Sequence, residues 1–492
     1  MARAGATSAG EATRGDEFVG YNEWATQTLE VDIATDFVYE YQEDACAAER
    51  GVYIAEDVTP HTEVLSIPLD STLTVRSLQT LGVFKRIAFF QQLVPEREDD
   101  QLAVALLYEK FVCGTRSKWA KHIELLPETY YNALYFEPED LEALEGSNLS
   151  GFAQQLKVQV VHDYRRLKES VLPDLYDSIA EAINCDTDVF HEWFSLDNYK
   201  WALSTIWSRF VSLRLDAASV LVEDHDGLSG IDTISMGNKE DGSKLMTTQT
   251  FKAMVPVFDM LNHDPEAEMS HVFDVASQRF KLVSHQHWNA GAQMFINYGP
   301  LSNHKLLSLY GFVILGNPFD AVEMWLPMHR PSTKFFEAKE QLLLANGLDH
   351  ATNTFELVAE ESNDLLLIAA RIQEIDCDTP EEFEVLAQKA LDGEMVSLAN
   401  EQEALTRLVY TLEKMLEAFP TSIEEDDRLL ESWEKDLTTQ GDDAQSDRRN
   451  HLWMAVAARQ SDKYILTENI NMLKWKLLDI LAKARCDQRA GA

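Results

Sequence analysis

Three short clusters in the second half of the sequence hold side chains able to steer charge and protons. Pro256-Val-Phe-Asp259-Met-Leu-Asn262-His263 sets a carboxylate three residues before an Asn-His pair. Gln293-Met-Phe-Ile-Asn297-Tyr298-Gly299 ends on a Tyr-Gly step, and Leu309-Tyr310-Gly311-Phe312 repeats that step. A phenol can orient and polarise a reacting group without consuming a proton. His263 has no partner at i+4, so nothing in the spacing suggests zinc, and no metal is expected. Each piece also has an ordinary reading. A Tyr-Gly step most often just ends a strand, Asn-His-Asp-Pro can be a turn, Asp259 can cap a strand end, and Phe312 can be core. Upstream, Arg50-Gly51 precedes a strand, and Ser208-Arg209 follows an apolar helical stripe. Arg209 sits about 130° around the helix from that stripe, where an arginine is ordinarily solvated.

The elements that must position these clusters follow from periodicity. From about Asp36 to Val75 the pattern is strand and turn, with β-prone runs at Val52–Ala55 and Thr62–Ile67 around Pro60. From about Gln79 the pattern becomes helical. Ala103, Leu106, Leu107 and Phe111 share one face, and Leu203, Ile206, Trp207, Phe210 and Val211 repeat that spacing. Gly227–Ser243 is Gly- and Asp-rich and reads as a loop. Strands then return at Phe251–Val257, Arg279–Val283 and Gln293–Asn297, the last introduced by the turn Asn289-Ala290-Gly291. After Pro331 the chain reads as almost wholly helical. Thr379-Pro380-Glu381-Glu382 combines a capping box with proline at the first helical position. An apolar-periodic run follows from Leu398 to Phe419, then an acidic segment from Ile423 to Arg449 that is partly loop, then a last long helix from His451 to Arg485. The expected fold class is α+β: a β-core interrupted by a helical insertion at about 79–250, then a mainly α-helical C-terminal domain.

A chain of 492 residues exceeds one ordinary core, so two domains, or three lobes, are expected. The 42 Lys and Arg against 83 Asp and Glu give a net charge of −41, which repels nucleic-acid phosphates and favours cationic partners. No apolar window is long enough to span a membrane. The first residues lack an apolar signal region, and Arg3 and Arg14 are offset by Glu11, Asp16 and Glu17, so residues 1–35 are expected to be a flexible leader. Cys46, Cys113, Cys185, Cys377 and Cys486 form neither a C-x-x-C pair nor a disulfide framework, which fits small buried thiols in a reducing compartment. An intracellular, soluble monomer of the cytoplasm or nucleus, rather than the chloroplast, is the expectation.

With Arg50-Gly51, Ser208-Arg209, Asn262-His263, Asn297-Tyr298-Gly299, Ser302-Asn303 and Tyr310-Gly311-Phe312 in this order, the chain resembles the SET-domain protein methyltransferases. The resemblance is to the branch with a split SET domain and a helical substrate-binding domain, named after the Rubisco large-subunit methyltransferase. It covers roughly Asp36 to Phe312, and more loosely the tail from 331 to 492. It implies S-adenosylmethionine as cofactor and a protein lysine as methyl acceptor, on a partner with a basic segment. The catalytic tyrosine would be Tyr298. Tyr310, Asp259 and Arg209 would line the lysine channel, and Arg50, Gly51, Ser208, Arg209, Asn262, His263, Tyr298 and Phe312 would hold the cofactor. SET domains thread a C-terminal segment through a loop, which would bring Asn262-His263 beside Tyr298 and Tyr310.

The implied chemistry is intelligible in physical terms. A lysine ammonium must lose a proton before it can attack a methyl group, and an apolar channel lowers its pKa. Aromatic walls suit the approach of the cation, and the transfer itself demands alignment. The chain departs from the family at Ala47-Ala48-Glu49, where a further glycine is usual; at Ala292, where an acidic residue is usual; and at Phe258, where a smaller residue is common. A related branch methylates histidine; it tends to lack the tyrosine found here at 310 and to place an amide near Val211. Tyr310 and Val211 therefore favour lysine. A catalytically silent scaffold binding Lys-rich proteins is the rival from another class.

Overall fold

The computed structural model describes residues 16–42, 49–79, 83–91, 97–183, 186–214, 250–329, 333–437 and 444–490. The first part of the expected leader, Cys46, Cys185 and the expected loop at 227–243 lie outside them. The chain divides into two compact units. Residues within 1–130, 158–234 and 240–300 build the first, and residues within 131–157, 235–239 and 301–492 the second.

The first unit carries the β-core. Its largest sheet is antiparallel, in the order Asp32–Ile33, Thr62–Pro68, Arg279–Ser284, Met269–Asp274. Arg279–Ser284 alternates as a half-buried strand should: Phe280, Leu282 and Ser284 point inward. Outward, Lys281 meets Glu63 at 3.2 Å and Asp274 at 3.3 Å. Thr62–Pro68 lies between two neighbours and buries the continuous run Val64–Ile67. Phe37–Gln42 pairs with Glu49–Ile54, and Thr250–Met254 lies between Leu73–Thr74 and Phe210–Arg214. A two-residue parallel ladder joins Phe295 to Asn262 and Ile296 to His263.

Two expectations are corrected here. Residues 16–35 are not a flexible leader: Tyr21–Leu29 is a helix whose Tyr21, Ala25 and Leu29 are fully buried, an i, i+4, i+8 stripe. Among the described residues the last helix of the insertion ends at Trp207, and Phe210 and Val211, expected on its apolar stripe, belong to a strand. Helical and strand spacing overlap over so few residues, and the Ser208 hydroxyl helps end the helix by donating back to the Ser204 carbonyl at 2.8 Å. The tail is mainly helical, as expected, and adds one strand, Thr354–Val358, which pairs with Ala321–Trp325. Its Phe355 and Leu357 alternate inward over only five residues, too short a run to stand out.

The insertion is anchored on the core through Glu98, Asp99 and Asp100, the first turn of the Glu98–Leu107 helix. Asp99 pairs with Lys252 Nζ at 2.6 Å and accepts from Trp207 Nε1 at 3.0 Å; Asp100 accepts from Arg166 at 2.5 Å and from the Tyr199 hydroxyl. Glu98 accepts from the Lys252 backbone N–H at 2.7 Å, and burial pushes its carboxyl up to about 7.

The second unit is mainly helical, from Phe336–Ala345 through Asp364–Gln373, Pro380–Leu391, Leu398–Glu417 and Ile423–Leu437 to the long Ala444–Ala490. The Thr379 hydroxyl caps Pro380–Leu391 by accepting from the Glu382 N–H at 3.2 Å. Its core joins Met324, Leu343, Ala404, Leu405, Leu408 and Leu466. Arg371 forks onto the buried Glu401 at 2.6 and 2.8 Å. Asp462 of the last helix meets His304 Nε2 at 3.0 Å and accepts from the Ser147 hydroxyl at 2.6 Å. Burial opposes charge on His304, but Asp462, Asp320 and Glu323 outweigh it and push the imidazole up to about 9.

Two stability measurements test these anchors. The Glu98 carboxyl is raised above its ordinary value, so the fold loses stability as pH climbs from about 4.5 to about 7. Glu98→Gln is expected to unfold a few degrees higher than wild type at pH 8, with the gap closing at pH 5 in thermal melts. For His304 the folded value lies above the ordinary one, so its contribution is full below about 6.5 and disappears as pH rises through about 9. His304→Gln should therefore melt lower than wild type at pH 6 and converge with it by pH 10.

Candidate active site

The first unit gathers its charged and phenolic side chains around Asp259. That residue lies in the 3₁₀ turn Phe258–Met260, entered through Val257 at φ +74°. A β-branched residue at positive φ is strained by about 1–3 kcal/mol, and strain of this kind collects at functional sites. Val257 is completely buried, so packing holds the turn in place.

Asp259 is buried, and its Oδ2 meets His122 Nε2 at 3.0 Å. His122 Nδ1 in turn meets the Tyr21 hydroxyl at 2.7 Å. The Asp259 carbonyl accepts from the Arg209 guanidinium at 2.5 Å. Burial opposes the Arg209 charge, but Tyr130, Asp259 and Tyr298 outweigh it and hold its pKa above the usual arginine value. Arg50 experiences the opposite balance: burial lowers its pKa and neighbouring Arg209 lowers it further, against the pull of Asp259. Arg50 also donates to the Leu125 carbonyl at 3.0 Å and lies 5.7 Å from the Phe18 ring centre.

Asn262, His263 and Tyr298 form a second group held by the parallel ladder. The Asn262 amide donates to the Arg50 carbonyl at 2.8 Å. The Tyr298 N–H donates to His263 Nδ1 at 3.1 Å, which leaves the ring proton on Nε2, and burial lowers the imidazole pKa. The Ile296 carbonyl, 3.4 Å from the same nitrogen, is the weaker contact. The two rings stack at 4.8 Å, and the Tyr298 hydroxyl donates to the Leu261 carbonyl at 2.8 Å. Arg50, Arg209, Asp259, Asn262, His263 and Tyr298 are thus linked within one unit.

Other expected site residues are placed differently. The Ser208 hydroxyl turns back onto Ser204 and Thr205 of its own helix. Arg209 is not on the solvated face of a helix but in the two-residue turn before the Phe210 strand, part-buried. At Gly51 a Cβ would come within 2.9 Å of the Gln293 amide, the end of a flexible side chain that would have to shift to admit it. Tyr310 and Phe312 belong to the second unit, where their rings lie 6.1 Å apart at 71° and burial raises the Tyr310 pKa well above the usual phenol value. Between them Gly311, at φ +83°, leaves no room for a Cβ against the Tyr131 backbone. Asn303 is tied to Asp320 at 2.7 and 2.8 Å, a structural role.

Sequence reasoning missed Tyr21, His122 and Tyr130. Tyr130 is buried, its hydroxyl 2.8 Å from Thr205 Oγ1 and in hydrogen-bond contact with Arg209. The i, i+4, i+8 stripe could have revealed the helix of Tyr21; no local signal marks His122.

Among the described residues, three buried polar atoms at this site have no hydrogen-bond partner: Arg50 Nε, Arg209 Nε and Asp259 Oδ1. Leaving such groups unmatched is costly, so water or a ligand must satisfy them. Two cationic donors and one anionic acceptor fit a group carrying both signs of charge, such as an α-amino acid moiety.

Residues 330–466 match the family described as Rubisco LSMT substrate-binding. A ribosomal lysine N-methyltransferase of Schizosaccharomyces pombe is 25% identical over 300 residues, 60% of this chain and 45% of the relative. Actin-histidine N-methyltransferase of Gallus gallus is 23% identical over 433 residues, 85% of this chain and 63% of the relative. The chain thus spans less than two thirds of the length of these relatives. The crystal structure of the SET domain of LSMT bound to lysine and AdoHcy superposes with a TM-score of 0.69 at 18% identity, covering 94% of this chain and 92% of that one. Rubisco LSMT bound to AdoMet gives a TM-score of 0.68 at 18% identity, covering 94% and 93%. The chain thus has the fold of the LSMT SET-domain structures, and its residues 330–466 match the Rubisco LSMT substrate-binding family.

Proposed function

We propose that this chain is an S-adenosylmethionine-dependent protein N-methyltransferase that acts on lysine. The observation that carries the reading is the convergence of Arg50 Nε, Arg209 Nε and Asp259 Oδ1, unmatched and buried, on a site that also holds Tyr298, Asn262 and His263. The relatives named as methyltransferases, and the LSMT structures with AdoMet or AdoHcy bound, support the choice of cofactor.

When bound, S-adenosylmethionine would supply an electrophilic methyl group on sulfonium. Arg50 and Arg209 would hold its carboxylate and Asn262-His263 would seat it, with the His263 ring kept in place by stacking on Tyr298. The Asp259 carboxylate attracts an ammonium group. The Tyr298 phenol is aimed by its hydrogen bond to Leu261, beside which an amine can be oriented for in-line attack. The low-dielectric surroundings favour loss of the amine proton before transfer.

Lysine is favoured over histidine on two observations. A buried carboxylate with a spare oxygen suits a substrate that arrives as a cation, whereas imidazole is largely neutral at pH 7. Val211, at the position where the histidine branch tends to have an amide, is apolar, buried and paired with Ala253. The histidine reading has its own support in the actin-histidine N-methyltransferases, which align over 85% of this chain. The net charge of −41 supports a partner with a basic lysine-bearing segment. No helix of the described residues is long and apolar enough to cross a membrane.

Labelled S-adenosylmethionine with a protein extract tests the reaction. Wild type is expected to label a protein, and Tyr298→Phe to label it about 100-fold more slowly while its cofactor affinity, by calorimetry, changes less than about 5-fold. Unchanged labelling would refute the role of Tyr298; cofactor binding without labelling would favour a silent scaffold. Mass spectrometry of the labelled protein should find the methyl on a lysine amine, and a methyl on imidazole would exclude the lysine assignment.

A further inference from the structure

The row Tyr21, His122, Asp259 is buried end to end: Tyr21 is fully enclosed, His122 is 2% exposed and the Asp259 side chain not at all. It joins three elements far apart in the chain, the Tyr21–Leu29 helix, the Ala120–Glu124 helix and the Phe258–Met260 turn. A histidine between a phenol and a carboxylate can adopt two tautomers, and the neighbours decide which. An ionised Asp259 carboxylate can only accept, so His122 Nε2, 3.0 Å from Oδ2, carries a proton. Nδ1 of the neutral ring accepts at 2.7 Å from the Tyr21 O–H, which burial keeps protonated. The ring proton then lies on Nε2, which donates to Asp259 Oδ2 at 3.0 Å.

The consequence concerns the other carboxylate oxygen. A carboxylate can rotate about its terminal bond and present either oxygen, and in a fully buried site that freedom would let it turn toward the nearest guanidinium. The Nε2–H bond occupies Oδ2, the Arg209 guanidinium is engaged with the Asp259 main-chain carbonyl at 2.5 Å, and Oδ1 is left buried without a partner. We propose that Tyr21 and His122 are positioning residues: they lock His122 in the Nε2–H form, which pins Asp259 Oδ2 and aims Oδ1 at a primary ammonium group of the bound ligand. This rests on the methyl-transfer reading for the identity of the ligand, though not for the tautomer. The ammonium could be that of the S-adenosylmethionine amino-acid moiety or that of the acceptor lysine; both offer the same chemistry to Oδ1. Second residues that orient a ligating group in this way typically matter 10- to 100-fold, as around metal ligands.

Three measurements on the full chain test the proposal. Long-range ¹H–¹⁵N spectra of the free protein are expected to show His122 as the neutral Nε2–H tautomer, with Tyr21→Phe shifting those resonances. A neutral Nδ1–H tautomer or a doubly protonated ring in wild type would overturn the proposal whatever the enzyme does. The functional measurement compares His122→Phe with His122→Gln, whose amide can restore a donor to Oδ2, using S-adenosylmethionine as the calorimetric ligand and the labelled extract protein as acceptor. His122→Phe is expected to lose about 10- to 100-fold and His122→Gln to recover most of it at equal melting temperature, the size expected for one hydrogen bond to a charged group. If the loss is in cofactor affinity, the ammonium is the cofactor's; if it is in kcat/KM with cofactor affinity unchanged, it is the lysine's. Full activity and affinity in a folded His122→Phe would overturn the positioning role. A wild-type protein that binds no S-adenosylmethionine would instead refute the methyl-transfer reading, and the spectra would still decide the tautomer.

Discussion

A buried carboxylate is expensive, and the first unit is arranged around one. Asp259 is removed from water on a turn that itself carries backbone strain at Val257. A charge in such a place persists only if hydrogen bonds and opposite charges replace the lost water, and removing one partner of a buried pair typically costs about 3–5 kcal/mol. His122 supplies the hydrogen bond, and Arg209 and Arg50 supply the charge. The two guanidinium groups repel each other, visible in the lowered pKa of Arg50, so the carboxylate and the arginines need one another. The compensation leaves one atom on each of the three groups without a hydrogen-bond partner among the described residues.

The surrounding architecture serves this arrangement. The parallel contact of Phe295–Ile296 with Asn262–His263 is only two residues long, yet it places Tyr298 where its ring covers His263 and its hydroxyl reaches Leu261. Asn262 ties the same segment to the Arg50 carbonyl, so the Glu49–Ile54 strand and the Asn262–His263 strand cannot move independently. On the other side, the acidic first turn of Glu98–Leu107 fastens the helical insertion to Lys252, seven residues before Asp259. Short strands, a strained turn and buried ion pairs replace the long regular sheet that would otherwise hold such groups.

The second unit pairs much of its buried charge, although Asp140 Oδ1 there also lacks a hydrogen-bond partner. In the second unit Arg371 with Glu401, and Arg459 and Lys463 with Asp426, are matched groups within or between helices. Asp426 accepts from Arg459 at 2.6 Å and from Lys463 at 2.5 Å, which holds its carboxyl below the ordinary range although burial works against it. These pairs fix helix register. The unmatched atoms around Asp259 leave donors and an acceptor for something else to satisfy.

Composition and periodicity alone determined the α+β class, the returning strands, the capped Pro380–Leu391 helix and the long terminal helices, because alternation and i, i+4 spacing are local properties of the chain. The local motifs likewise singled out Asp259, Asn262, His263 and Tyr298. Where two periods coincide over a few residues, at Phe210 and Val211, or a strand is only five residues long, as at Thr354–Val358, the sequence could not choose. Only the tertiary structure decided the surroundings of Asp259. Tyr21 came from a segment that read as a leader, and His122 stands 137 residues away in sequence with no motif to announce it. A buried carboxylate takes its partners from whatever folds against it, and distance along the chain carries no record of that choice.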